Sequence, residues 1–140
     1  MAVHVLAVLG YKEGDRVTSA LLASSVNTNP VVIRRLLLAL QRARLVETRK
    51  GAGSGSRLSR SPSRISLAEA FRAVEHQEAF SLPPAKPNPA CPVGQCIQAA
   101  LERVFASAQN ALERELAKTT MADVLEAVKA ACARANRGGK

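Results

Sequence analysis

The chain has 140 residues, 47% of them hydrophobic, enough for about one domain with a buried core. No run of 18 or more apolar residues is present to span a bilayer, and the opening Met1-AVHVLAVLG has neither a basic lead nor a small-residue cleavage site. A membrane-spanning helix and a signal peptide are therefore not expected, and a cytoplasmic location is. The formal charge is +9, and it is concentrated: residues 30–64 carry Arg34, Arg35, Arg42, Arg44, Arg49, Lys50, Arg57, Arg60 and Arg64 against Glu47 alone. A one-sign block dominated by arginine predicts a polyanionic partner, nucleic acid first; an acidic protein, a membrane surface or a plain solvated face are the alternatives. Only Tyr11, Phe71, Phe80 and Phe105 are aromatic, so the core is aliphatic, which suits helices better than sheets.

In chain order, AVHVLAVL (2–9) reads as a buried helix ending at Gly10, followed by a polar loop over 11–17. Thr18 caps a short helix, TSALLASSV, and Asn27-Thr28-Asn29 forms a turn. Asn29 before Pro30 is an N-cap followed by proline at the first helical position, and predicts a helix to about Ala43. Its apolar residues Ile33, Leu36, Leu37 and Leu40 share one face, with Arg34, Arg35 and Arg42 off it. LVETR and RLSR, separated by KGAGSGS, predict a β-hairpin. Ser61-Pro62-Ser63 interrupts the chain, and Ile65 is expected to pack inward. Ser66 and Glu69 form a capping box for LAEAFRAVEH, whose buried face is Leu67, Ala70, Phe71 and Val74. Five prolines (Pro83, Pro84, Pro87, Pro89, Pro92) make residues 77–96 a connector. From about Val93 a long helix carries Ile97, Leu101, Val104, Phe105, Ala108, Leu112 and Leu116 at a period near 3.6; Thr119-Thr120 breaks it, and MADVLEAVKAACARA is a final helix before a frayed NRGGK tail.

Short helix, turn, cationic helix and basic hairpin, in that order, describe a winged helix-turn-helix. The expected fold is mainly α: a three-helix head with a hairpin wing over 1–76, the connector over 77–96, and a dimerisation helix with a C-terminal helix over 97–140. A recognition helix (about 29–43) needs an apolar face to dock and a polar face to enter the major groove, with its N-terminal residues toward the bases. Those residues are Thr28, Asn29, Val31, Val32, Arg34 and Arg35; arginine reads guanine bidentately and valine methyls touch thymine. Arg49, Lys50, Arg57 and Arg60 of the wing (about 45–60) are candidates for phosphates or a narrow minor groove. The glycines of GAGSG do not read as a nucleotide loop, because no helix starts after them before Ser66.

SVNTNPVVIRRLLLALQRARLVETRKGAGSG, RLSR and ISLAEAFRAVE together resemble the Rrf-two family of bacterial winged-helix regulators; PNPACPVG followed by IQAALERVFASAQNALERELAKTTMADVL resembles its YwnA-like branch. The resemblance spans nearly the whole chain. It implies a homodimeric transcription factor, usually a repressor, that binds a near-palindromic operator in double-stranded DNA and dimerises through the long helix. Three differences stand out. The family usually has further residues before AVHVLAVL, so the first helix is expected to be short. It usually has a glycine pair and an aromatic residue where this chain has Ser54-Gly55-Ser56. It usually has glycine in place of Arg44, where a left-handed cap would be less favourable.

Some relatives of this type sense through an iron–sulfur cluster on three cysteines ahead of the dimerisation helix. Here that loop offers Cys91 and Cys96 only, and clusters normally take four protein ligands, so no cluster, and no other cofactor, is expected. A thiol switch at Cys91 and Cys96 is the sharper reading, with inert thiols as the bland one; Cys132, between two alanines, is expected to pack inside. His4 and His76 lack ligand-spaced partners, which argues against a metal site. No HExxH, GxSxG or Ser/His/Asp set is present, so an enzyme is not expected. The competing function is a protein–protein module on a winged-helix scaffold that binds an acidic partner. The effector is not legible.

Overall fold

The computed structural model describes residues 1–12, 14–74, 82 and 85–137. Helix α1 (Ala2–Tyr11) buries Ala2, Val5, Leu6 and Leu9. The helix does not end at Gly10 as expected. A Cβ there would stand 2.8 Å from Leu125 Cδ1, so this glycine serves close packing rather than helix termination. The following loop is likewise not wholly irregular: Val17 and Ser56 exchange N–H···O bonds of 2.8 Å each, adding a one-residue bridge beside the wing.

Helix α2 (Ser19–Val26) starts at Thr18, whose hydroxyl accepts from Leu21 N, and ends at Asn27 in the left-handed region (φ 58°). Helix α3 (Pro30–Arg42) starts at Asn29, whose side chain accepts from Val31 N at 2.8 Å, with Pro30 at the first position. Ile33, Leu37 and Leu40 are buried and Leu36 is half-buried, so the apolar stripe points inward as its spacing predicts. Strands β1 (Val46–Arg49) and β2 (Gly55–Leu58) pair antiparallel, with Val46 opposite Leu58 and Arg49 opposite Gly55. A single 3-10 turn (Pro62–Arg64) leads to buried Ile65.

Helix α4 (Leu67–Val74) opens on the reciprocal box: Glu69 accepts from the Ser66 N–H at 3.0 Å and Ser66 Oγ accepts from the Glu69 N–H at 3.3 Å. Its fully buried residues are Ala68 and Ala70, while Leu67, Phe71 and Val74 are half-buried. Helix α5 (Pro92–Ala117) opens at Pro92, so the last residues of the expected connector are helical; proline is tolerated at a first helical position. Its 26 residues give a rod of about 39 Å with no buried residue. Helix α6 (Met121–Arg137) starts with a second capping box, Thr120 with Asp123, and returns to the head: Met121 N donates to Ile65 O at 2.8 Å and Leu67 N to Thr119 O at 2.9 Å.

Leu6, Leu9, Leu22, Ile33, Leu40, Leu45, Ile65 and Met121 meet in one aliphatic core, each worth about 1.5–3 kcal/mol of burial. Met121 thus places the start of the C-terminal helix within the head rather than in a separate unit with α5. The architecture is a winged helix-turn-helix head from which α5 extends. Among the described residues, no helix is long and apolar enough to cross a membrane.

Candidate nucleic-acid interface

Docking α3 by its buried stripe leaves the opposite face bare. Val31 and Val32 are 46% and 40% exposed at its first turn, Arg34 and Arg35 are exposed beside them, and Leu38 is 56% exposed further along. Asn29 is committed to its cap. Thr28 is half-buried in the turn, its N–H donating to Ala23 O. The turn residues therefore set the angle of the helix, while the valines and arginines are what it presents.

Between α3 and the hairpin lies a cleft of about 740 Å³, lined by Thr18, Ser19, Arg34, Gln41, Arg49 and Lys50 among others. It brings one recognition-helix arginine into line with two cations of the wing and with the start of α2. Arg35 stands elsewhere, in a hollow with Arg42 and Arg72. Thr18, Ser19 and Gln41 did not figure among the expected site residues; the N-cap at Thr18 was the available signal, since the first turn of a helix offers unpaired N–H groups to an anion.

The cations divide into two sets. Arg34, Arg35, Arg49 and Lys50 make no ion pair among the described residues. Arg57 donates both Nε and Nη2 to Glu47 Oε2 at 3.1 Å, and Arg16 approaches the same oxygen at 3.9 Å. Arg60 pairs with Glu69 and so ties the end of the wing to α4. The Ser66 N–H, and after it Arg60, hold the Glu69 carboxyl below its ordinary value. The Thr120 N–H and hydroxyl do the same for Asp123. Ser56, in the wing, is buried and bonded to Thr48 Oγ1 at 2.9 Å, so it packs the hairpin from within rather than facing a ligand.

Cys91 is the N-cap residue of α5 and Cys96 lies in its second turn, both exposed. Asn88 Oδ1 accepts from Ala90 N and Gln95 Nε2 donates to Pro89 O, so the approach to Cys91 is an ordered turn. A Cβ on Gly94 would stand 2.3 Å from Asn88 O; only glycine fits there. Cys132 is exposed, contrary to the packing role expected of it, because α6 leaves the core after Leu125. His4 Nε2 bonds Ser25 Oγ at 3.2 Å. His76, Phe80, Pro83, Pro84 and the last three residues of the tail lie outside the described residues. Among the described residues no group of three His, Cys, Asp or Glu side chains converges to hold a metal ion.

The Rrf2 family, described as iron-dependent transcriptional regulators, matches over residues 1–127. YwnA of Bacillus subtilis (strain 168), whose name proposes an HTH-type transcriptional regulator, is 42% identical over 125 residues, which is 89% of this chain and 92% of YwnA. A crystal structure solved as that of an inferred DNA-binding protein is 40% identical, with a TM-score of 0.71 over 89% of this chain and 95% of that one. IscR of T. potens shares the fold at 21% identity, with a TM-score of 0.68 over 93% of this chain and 84% of its own.

Proposed function

The chain belongs to the Rrf2 family of transcriptional regulators, and from that membership we propose that it acts as a homodimeric repressor on a near-palindromic operator. The observation that supports the reading is the cleft between α3 and the wing, where Arg34 on one side and Arg49 and Lys50 on the other line the same hollow and none of them makes an ion pair among the described residues. Val31, Val32 and Arg34 enter the major groove, Arg49 and Lys50 hold phosphates beside it, and Thr28 and Asn29 set the entry angle. Arg35 flanks the groove from the side of Arg42. Arg57 and Arg60 act first as struts of the wing.

Ile97, Leu101, Val104, Phe105, Ala108, Leu112 and Leu116 of α5 form the dimer contact. The support is that α5 has no buried residue while Val104 is 60% and Ile97 36% exposed, a rod whose apolar stripe lacks a complete cover. The two heads then stand about one DNA turn apart, ~34 Å.

The cysteines give the regulator a thiol switch. Cys91 and Cys96 are five residues apart at the start of a helix, which turns them about 140° away from each other, so the bond that matters joins Cys91 to the partner subunit or to another segment. Peroxide takes two electrons and two protons from the two thiols, leaving one S–S bond and two waters. The donor set among the described residues does not fit an iron centre: two exposed cysteines share one helix end, the third is on α6, and Glu69 and Asp123 are committed to helix caps. No step is assigned to iron. The test of the whole reading is recovery of bound genomic DNA with and without peroxide. A recurrent near-palindrome is expected, and recovery of no defined sequence would contradict it.

A further inference from the structure

Arg72, in the last turn of α4, lines two adjoining hollows. One, of about 440 Å³, lies toward α3 with Arg35 and Arg42. The other, of about 720 Å³, lies toward α5 with Arg103, Ser107, Asn110 and Arg114. That size falls within the roughly 300–1,000 Å³ of small-molecule sites. Five arginines thus line the two hollows, and the acid among the lining residues is Glu113, whose Oε2 stands 3.6 Å from Arg72 Nε. Arg72 and Arg114 use Nε on the carbonyls of Ala68 and Asn110, so their terminal amino groups keep their donors. Among the described lining residues the five arginines face the one carboxylate of Glu113.

Helical geometry keeps this groove separate from the dimer contact. At about 100° per residue, Arg103, Asn110 and Arg114 lie about 80° or more from every residue of the stripe, and Ser107 lies about 60° from Val104 at its rim. A partner helix seated on the stripe leaves the groove open.

We propose that the α4–α5 groove binds a small molecule with at least two anionic groups, carboxylates or phosphates, held by Arg72, Arg103 and Arg114. One anionic group of the ligand takes the place of Glu113 on Arg72, since planar guanidinium groups match both carboxylate and phosphate bidentately. Arg72 also lines the hollow behind the recognition helix, so the occupied groove alters the setting of Arg35 and Arg42 and with it the hold on DNA. The coupling rests on the DNA-binding reading; the binding does not.

The experiment is calorimetric titration of the full chain with citrate and, separately, inorganic pyrophosphate at matched ionic strength, alongside duplex binding by fluorescence anisotropy. One probe is expected to saturate with a Kd of about 1 mM or tighter. Arg103→Ala weakens it about tenfold, Glu113→Gln tightens it severalfold, and Arg34→Ala leaves it unchanged. Arg34 and Arg103 are exposed and Glu113 is half-buried, and a helical spectrum and melting curve matching the wild type establish that each variant is folded. No saturable binding of either probe overturns the site. So does binding lost in Arg34→Ala but kept in Arg103→Ala, which would mean that the probe reads the DNA face. Saturable binding that leaves duplex affinity unaltered overturns the coupling. Duplex affinity without any probe is measured first, so a failure of the DNA-binding reading is told apart from a failure of this one.

Discussion

Arg34 and Arg35 are neighbours in sequence and diverge in space. The first faces the wing and the second the α4 side, because successive helical positions turn by about 100°. Arg34→Ala is therefore expected to cost about 1–3 kcal/mol of operator binding and to relax specificity at one base pair, while Arg35→Ala costs less. Anisotropy with operator and scrambled duplexes measures both; equal small losses on both duplexes would reduce Arg34 to a phosphate contact. The pair was legible as a candidate, but its division was not, since periodicity gives the faces of a helix and not what stands opposite them. Arg44 shows the reverse case. It keeps a left-handed φ of 58° at the end of α3 although it carries a Cβ, with the Ser59 hydroxyl donating to its carbonyl. Arg44→Gly is expected to raise stability by about 1 kcal/mol in thermal or urea unfolding. A loss of stability would mean that the arginine side chain does more than the backbone relief is worth.

At the scale of elements, caps were the most readable features. Thr18, Asn29, Ser66 with Glu69, and Thr120 each start a helix where local chemistry demands a partner for orphan N–H groups. What could not be read is long-range: the Val17–Ser56 bridge, the burial of Ser56, and the seat of α6 against Gly10 all depend on segments that meet only after folding. Hairpin register, which the turn residues alone do not fix, likewise decides that Arg57, a phosphate candidate in the sequence, is paired. Its partner Glu47 is the one acid of the basic block, set opposite it by the register of the hairpin. Glu47→Gln releases Arg57 and is expected to raise affinity for any duplex severalfold at low salt; an unchanged affinity would leave Arg57 as a strut only. Glu69 adds a pH dependence. Its folded value lies below the ordinary 4.5, so its contribution is fully present above that value and fades as pH falls through the lowered one. Acid unfolding of Glu69→Gln should therefore begin from a lower stability and show a shallower decline below pH 4.5 than the wild type. Parallel acid limbs would contradict it.

At the scale of the whole molecule, α5 joins the parts: its apolar stripe is the proposed seat of a second copy, its N-terminus carries Cys91 and Cys96, and its other side carries arginines. Val104→Asp, at a 60% exposed position of the stripe, is expected to leave the head folded and to yield a monomer at micromolar concentration with weakened operator binding. Sedimentation measures the first and anisotropy the second; a monomeric wild type with full affinity would overturn the dimer. Whether the cleft between α3 and the wing holds DNA is tested by the salt dependence of binding to a duplex, for wild type and Arg49→Ala. A steep fall in log affinity with log salt is expected, near −0.9 for each phosphate contact, with a slope shallower by about one contact per site in the variant. A flat response, or no binding at low salt, would contradict it and point instead to an acidic protein as the partner of the basic face.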